Sequence, residues 1–141
     1  MSGTKRIEGK CLCGAVTVSA LVEEPNLRAC HCEMCRKHTS GMFISVSTLP
    51  GSVEATGPYT SFPSSAWAER GFCQTCGSTL WYGTVADGVR HPSAGLFEDA
   101  AGGEMTLEFY ADKCPQGYEL AGEHRKLTTE ETEALFAPNE E

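Results

Sequence analysis

The sequence predicts a mainly β protein in which short strands are joined by many loops. Fifteen glycines and seven prolines divide the 141 residues into short runs, and both residue types interrupt regular structure. Several of these runs alternate side chains with the period of two that is typical of a half-buried strand. Helix signals are few, and the clearest one lies near the C-terminus.

Alternation and β-branched residues locate the predicted strands. We expect strands over residues 14–21, 42–48, 53–56, 80–82, 89–91 and 105–110. In the segment 105–110, for example, Met105, Leu107 and Phe109 share one face of a strand. Pairs such as Pro50-Gly51 separate the runs and favour turns there.

One short helix is predicted at the C-terminal end, over about residues 128–137. Thr128 and Glu131 have the spacing of a capping box, in which each side chain caps the other residue's N–H. Pro138 is expected to end this helix. A single helical turn is also expected after Cys35. The chain length suits one domain over residues 1–141, with a core over about residues 9–127.

Composition argues against two classes of partner. No run approaches ~18 consecutive apolar residues, so we expect no membrane span. The chain carries 11 basic and 19 acidic residues, and its net charge of -8 disfavours binding to nucleic acid. Residues 1–10 lack the apolar region of a secretory signal, which predicts a cytoplasmic protein. Reducing conditions there keep thiols available for metal ions.

Seven of the eight cysteines fall into tight groups, and these groups predict two sites for soft metal ions. The groups are Cys11-x-Cys13, Cys30-x-Cys32-x-x-Cys35 and Cys73-x-x-Cys76. In an extended segment, residues i and i+2 face the same side, so the first pair can converge on one ion. Together with the Cys-x-x-Cys pair it supplies four thiolates, which predicts a structural zinc site. The alternative is that these cysteines are inert core residues.

The group of Cys30, Cys32 and Cys35 can wrap one ion from a single loop. Three protein donors plus water is the pattern of a catalytic zinc site. The alternative is a second structural site that Cys114 or a histidine closes, and spacing alone does not decide between the two. Because one of the pairs is Cys-x-Cys, zinc is favoured over rubredoxin-like iron.

Three segments together resemble a known family. They are residues 10–16 (KCLCGAV), 30–37 (CHCEMCRK) and 70–80 (RGFCQTCGSTL). Over about residues 9–96 the chain resembles the glutathione-dependent formaldehyde-activating enzymes, a family that includes centromere protein V. The resemblance implies an Mss4-like fold of short antiparallel strands around zinc sites, and a single zinc-binding domain of this type.

The resemblance also implies two zinc ions per chain and a reaction. It places a structural zinc on Cys11, Cys13, Cys73 and Cys76, and a catalytic zinc on Cys30, Cys32 and Cys35. Members of the family act as carbon–sulfur lyases that form or cleave S-hydroxymethylglutathione. We therefore expect a zinc-dependent lyase or adduct-forming enzyme whose partner is a small thiol such as glutathione. The alternative is a non-catalytic zinc module for protein interaction with two structural sites.

Three further residues are candidates for a role beside the metal. Lys37 and Arg70 can pair with the carboxylates of an anionic thiol, although a solvated turn and a surface salt bridge explain them equally well. His31 lies between two cysteines and can be a ligand, a hydrogen-bond partner near the ligands or a general acid. A structural hydrogen bond is the favoured interpretation. The sequence predicts no oligomeric state.

Overall fold

The structure is a computed structural model, and it describes residues 3–136. Within that range the strands are β1 (Lys5–Lys10), β2 (Thr17–Val22), β3 (Asn26–Cys30), β4 (Phe43–Val46), β5 (Glu54–Thr56), β6 (Tyr59–Pro63), β7 (Ala68–Cys73), β8 (Thr79–Thr84), β9 (Arg90–Pro92), β10 (Glu104–Phe109) and β11 (Arg125–Lys126). The α-helices are α1 (Glu33–Thr39) and α2 (Thr129–Phe136), and short 3-10 helices span Ala94–Leu96, Glu98–Gly102 and Ala111–Lys113. The predicted mainly β fold class with a short C-terminal helix is confirmed.

The described chain divides into two compact units, and the first comprises residues 3–27 and 45–104. It contains one sheet in the order β1-β2-β5 and another in the order β6-β7-β8-β9. The strands in both sheets pair antiparallel. Strand β2 contributes Val18, Ala20 and Val22 to the buried core of this unit, which fits the β-branched run that predicted it.

A glycine on β7 allows the largest buried side chain of the first unit to pack closely. A Cβ atom at Gly71 would lie 2.3 Å from the indole of Trp81, so no other residue fits there without displacing the ring. The ring of Tyr59 meets Trp81 edge-on at 5.0 Å, and the guanidinium of Arg90 lies 4.1 Å from the indole centroid. This packing holds β7, which ends at Cys73, against β8, which carries Trp81.

The second unit comprises residues 28–44 and 105–136. Its sheet has the order β11-β10-β3-β4, and β10 and β11 run parallel, with Glu108 opposite Lys126. Helix α1 is seven residues long, longer than the single turn that the sequence predicts. The prediction of a single domain over residues 1–141 stays a prediction.

The capping box at the start of α2 is confirmed. The N–H of Glu131 donates to Thr128 Oγ1 at 3.1 Å, and the N–H of Thr128 donates to Glu131 Oε1 at 2.9 Å. Thr132 is fully buried and accepts a hydrogen bond from the N–H of Tyr110 at 3.0 Å. This bond ties α2 to the segment after β10. The predicted helix end at residue 137 and the stop at Pro138 lie outside the described residues.

Candidate metal centres

Two similar loops in the first unit present the four sulfurs of Cys11, Cys13, Cys73 and Cys76, which we call the four-thiol cluster. In the loop after β1, the N–H of Gly14 donates to Cys11 O at 3.0 Å. In the loop between β7 and β8, the N–H of Gly77 donates to Cys73 O at 2.8 Å. Both glycines have φ near +80° (82° and 81°), a conformation that favours glycine. The two tight turns thereby aim their cysteines at one point.

The spacing of the sulfur atoms in the four-thiol cluster fits a single metal ion. All four lie within 4.8 Å of one another. Cys11 and Cys13 are 3.6 Å apart, and Cys13 and Cys73 are 3.8 Å apart. Tetrahedral zinc with bonds of ~2.3 Å requires sulfurs about 3.8 Å apart, whereas a disulfide requires ~2.05 Å. The cluster can therefore hold zinc with a complete set of four thiolates.

Ser78, a residue that no sequence motif indicates, joins the two halves of the four-thiol cluster. The N–H of Leu12 donates to Ser78 Oγ at 3.0 Å, which leaves the hydroxyl hydrogen to point at Cys76 Sγ, 3.1 Å away. This hydrogen bond is the main cause that lowers the pKa of Cys76 to about 5. Ser78 thus favours the thiolate that binds metal.

The other thiols of the same cluster oppose ionisation of Cys13. The N–H of Ala15 favours the Cys13 thiolate, but burial and the other three sulfurs outweigh it and raise the pKa of Cys13 to about 11. Four thiolates so close together repel one another. A divalent cation bound between them would offset this repulsion, because a coordinating thiol loses its proton.

The sulfurs of Cys30, Cys32 and Cys35, which we call the three-thiol cluster, lie at the junction of β3 and α1 in the second unit. Cys30 ends β3, Cys32 is the N-cap of α1, and Cys35 lies in its first turn. All three sulfurs are within 4.8 Å of one another. The N–H of Cys35 donates to Cys32 Sγ at 3.4 Å. A strand end and one helical turn therefore suffice to converge three donors.

Crowding in the three-thiol cluster again fits a soft cation. Cys32, then Cys35, and then burial raise the pKa of Cys30 above its ordinary range. Among residues 3–136, no further ligand atom of a histidine, cysteine, aspartate or glutamate joins this cluster. Cys114, a candidate for closing the site, instead donates through its sulfur to Tyr118 O at 3.3 Å. The described chain thus supplies three donors to this site.

Three buried side chains of the second unit form a hydrogen-bonded group that we call the buried triad: His31, Glu108 and His124. The Nε2 of His31 lies 2.6 Å from Glu108 Oε1, and the Nε2 of His124 contacts Glu108 Oε2. Burial opposes ionisation of Glu108, but the hydrogen bonds from His124 and His31 outweigh it and lower its pKa. The favoured interpretation of His31 as a hydrogen-bonding residue is confirmed, whereas Glu108 and His124, the other two members of the buried triad, were not predicted.

The two basic candidates lie in different surroundings. Lys37 is on the exposed surface of α1, where its Nζ lies 3.2 Å from Glu33 Oε2. Arg70 is buried on β7 in the first unit, and its guanidinium lies 4.7 Å from the ring centroid of Tyr82. Arg70 is therefore not the surface residue that the alternative assumed. A substrate contact by either residue stays a prediction.

A family model described as glutathione-dependent formaldehyde-activating enzyme matches residues 6–113. The chain belongs to this family. The match spans both clusters, and the family predicted from the three motifs is confirmed.

Two relatives agree with this assignment. An uncharacterized lyase of Schizosaccharomyces pombe is 35% identical over 126 residues, covering 88% of this chain and 92% of the relative. A crystal structure of a Rhodobacter sphaeroides protein superposes with a TM-score of 0.53 at 19% identity, covering 85% of this chain and 99% of that one. The first supports the family, and the second shows the fold. Among residues 3–136, no helix is long and apolar enough to cross a membrane.

Proposed function

We propose that this member of the formaldehyde-activating family is a zinc-dependent carbon–sulfur lyase or adduct-forming enzyme. Its substrate is a small thiol adduct such as S-hydroxymethylglutathione. One observation carries the proposal: the three-thiol cluster has no fourth donor of the usual metal-binding types among residues 3–136. A site with three protein ligands keeps a position for a substrate atom. The family and the lyase name of the yeast relative support the same reaction class.

The two clusters divide the work in this proposal. Cys11, Cys13, Cys73 and Cys76 hold a structural zinc, since four thiolates fill a tetrahedral ion. Cys30, Cys32 and Cys35 hold the catalytic zinc. When bound there, zinc supplies Lewis acidity and favours the ionised form of a thiol. The chain's own contribution is to hold the three sulfurs on one side and leave the other side to the substrate.

The reaction is a balanced addition without oxidation or reduction. The thiol sulfur forms a bond to the carbonyl carbon, the electron pair of the π bond moves to oxygen, and the thiol proton ends on that oxygen. Cleavage reverses each of these changes. A site for this chemistry needs to favour a thiolate and to place it beside the aldehyde, which is an orientation effect.

The chain has a net charge of -8, which repels a thiol that carries carboxylates. Positive side chains are therefore needed to hold such a substrate. Lys37 and Arg70 remain the proposed contacts, and a guanidinium can hold a carboxylate with two hydrogen bonds. The predicted cytoplasmic location, where small thiols are abundant and reduced, belongs to the same proposal.

A non-catalytic zinc module for protein interaction is the second candidate function. Exposed apolar side chains in the first unit favour it: Phe62, Trp67 and Val85 are all more than half exposed. The N–H of Val85 donates to Trp67 O at 2.9 Å, so these two residues lie next to each other, just before β7 and just after β8. This candidate predicts two filled metal sites and no binding of thiols.

Turnover distinguishes the two functions, because both of them predict two bound zinc ions and only the lyase predicts catalysis. We expect the purified protein to hold two zinc ions and to accelerate formation of S-hydroxymethylglutathione above the uncatalysed rate, followed by NMR. Cys32→Ser should leave one zinc and reduce the rate to background. Cys114→Ser is the matched control and should keep both ions and full activity, because Cys114 lies outside the cluster. One zinc in the wild-type protein, or an unaltered rate in the Cys32→Ser variant, would refute the catalytic role.

A further inference from the structure

His31 is the residue between two sulfurs of the three-thiol cluster, and the second unit fixes it at three points. Its N–H donates to Phe109 O at 3.1 Å. Its carbonyl oxygen accepts a hydrogen bond from Arg36 Nε at 3.0 Å. Its imidazole meets Glu108 Oε1 at 2.6 Å. The peptide units that orient Cys30 and Cys32 are therefore held on both sides of His31.

The carboxylate of Glu108 extends this restraint to a distant part of the chain. Since an ionised carboxylate only accepts hydrogen bonds, both histidines donate through Nε2. Glu108 lies on β10, and His124 directly precedes β11. The Nδ1 of His31 has no hydrogen-bond partner in the described part of the chain, so the bond to Glu108 is the hydrogen bond that orients this imidazole. Three segments of the second unit meet at one carboxylate.

A gain in folding stability over apolar side chains does not explain such a group. His31 is 0% exposed and Glu108 is 3% exposed, and a buried ionic group of this kind often stabilises a protein no better than apolar side chains would. What hydrogen bonds offer is a defined orientation, because they are directional and apolar contacts are not. In metal sites, groups just outside the ligands serve this purpose and change metal affinity about 10- to 100-fold.

We propose that the buried triad is a positioning device for the three-thiol cluster. Through His31 it fixes the peptides on either side of that residue, and hence the directions of the Cys30 and Cys32 sulfurs. The loop then holds a metal ion with three thiolates and does not rearrange to accept a fourth protein donor. This inference rests on the proposed function only in taking the cluster to be a metal centre. His124 acts as a positioning residue through Glu108.

Substitutions of His124 test the device without touching a metal ligand. His124→Gln keeps a nitrogen donor near the position of Nε2, whereas His124→Asn has the same chemistry with a shorter reach and His124→Leu has no donor. We expect the Leu and Asn variants to bind zinc at the three-thiol cluster about 10- to 100-fold more weakly in competition with a chromophoric chelator. The Gln variant should be close to wild type. Zinc at the four-thiol cluster should be unaffected in all three.

Cobalt substitution gives a second readout, because the visible bands of cobalt–thiolate sites report the ligand geometry. The Leu and Asn variants should shift these bands for the three-thiol cluster, and the Gln variant should show the bands of the wild-type protein. Thr132→Val is the matched structural control. It removes a different buried hydrogen bond of the second unit, that from the N–H of Tyr110, and should lower thermal stability without changing zinc affinity or the cobalt spectrum.

The outcomes separate this inference from the proposed function. If the wild-type protein holds two zinc ions and the Leu and Asn variants match its affinity and spectrum, the triad is not a positioning device. The same conclusion follows if Thr132→Val weakens zinc as much as His124→Asn does. If zinc weakens as expected but the wild-type protein shows no turnover of the thiol adduct, the positioning device stands and the lyase proposal fails.

Discussion

The two Cys-x-Cys segments of this protein carry the same ligand spacing but opposite central residues. In Cys11-Leu12-Cys13 the central leucine is 88% exposed, and its N–H donates to Ser78. In Cys30-His31-Cys32 the central histidine is 0% exposed, and its N–H, carbonyl and imidazole are all engaged. The two segments thus have the same ligand spacing, but the hydrogen bonds that hold the central residue differ.

We relate this difference to the number of thiols in the cluster to which each segment belongs. The four-thiol cluster draws two sulfurs from each of two loops, so a bound ion itself fixes the loops against each other. The three-thiol cluster comes from one loop, and an ion with three thiolates still has a position to fill. We infer that the protein supplies through His31 the restraint that a fourth thiolate supplies elsewhere.

Replacing the central histidine of the three-thiol cluster by leucine should give the largest change in zinc affinity. His31→Leu removes the imidazole that links the loop to Glu108, so we expect zinc affinity there to fall by about 10- to 100-fold. Chelator competition on the protein with two zinc ions measures this, with the four-thiol cluster as the internal reference. Unchanged affinity at the three-thiol cluster would remove the contrast between the segments.

Glu108→Gln should lower the free energy of unfolding by about 1–3 kcal/mol near pH 7, because it removes charge-assisted hydrogen bonds. The pKa of Glu108 lies below its ordinary value of 4.5. A lowered pKa contributes stability that is complete above the ordinary value and is lost as the pH falls through the folded pKa. The difference between the two proteins should therefore shrink under acid. Denaturant unfolding across a pH series measures it, and a difference that grows toward low pH would contradict the assignment.

Ser78→Ala should weaken zinc at the four-thiol cluster by about tenfold or less, the lower end of such effects. The hydroxyl lowers the pKa of Cys76 to about 5, so its removal raises that pKa and lets protons compete better for the thiolate. Zinc should then leave this cluster at a higher pH than in the wild-type protein. A pH titration of zinc release tests the direction, and Ser65→Ala, in the bend between β6 and β7 and outside both clusters, serves as the control.

Leu12→His should have the smallest effect. The side chain at position 12 points into solvent, and substitutions at such positions change stability by about 0.5 kcal/mol or less. Zinc content and thermal unfolding should match those of the wild-type protein. If a histidine there changed zinc affinity as strongly as the loss of His31 does, identity of the central residue, and not its buried support, would be the controlling factor.

The sequence predicted the features of this protein that depend on local spacing. The cysteine groups, the capping box of Thr128 and Glu131 and the strand 105–110 all follow from residues close in the chain. Strand β1 was missed because its sequence, KRIEGK, is largely charged and exposed, with Gly9 its buried residue. It is a strand because it pairs with β2.

The buried triad was missed for a related reason. His31 and Glu108 are 77 residues apart, and they meet only because β10 lies between β11 and β3 in the sheet. No pattern within any one of these segments indicates that order. Ser78 has no recognisable signal either, since its role depends on the N–H of Leu12 in a loop far away in sequence.

Sulfur coordination measured at the zinc absorption edge tests the central claim most directly. With four thiols in one cluster and three in the other, the protein with two zinc ions should show an average between three and four sulfurs per zinc, plus a lighter oxygen or nitrogen ligand. Addition of glutathione should raise the average to four as its thiol enters the open position. An average of four sulfurs before any thiol is added would contradict an open catalytic site.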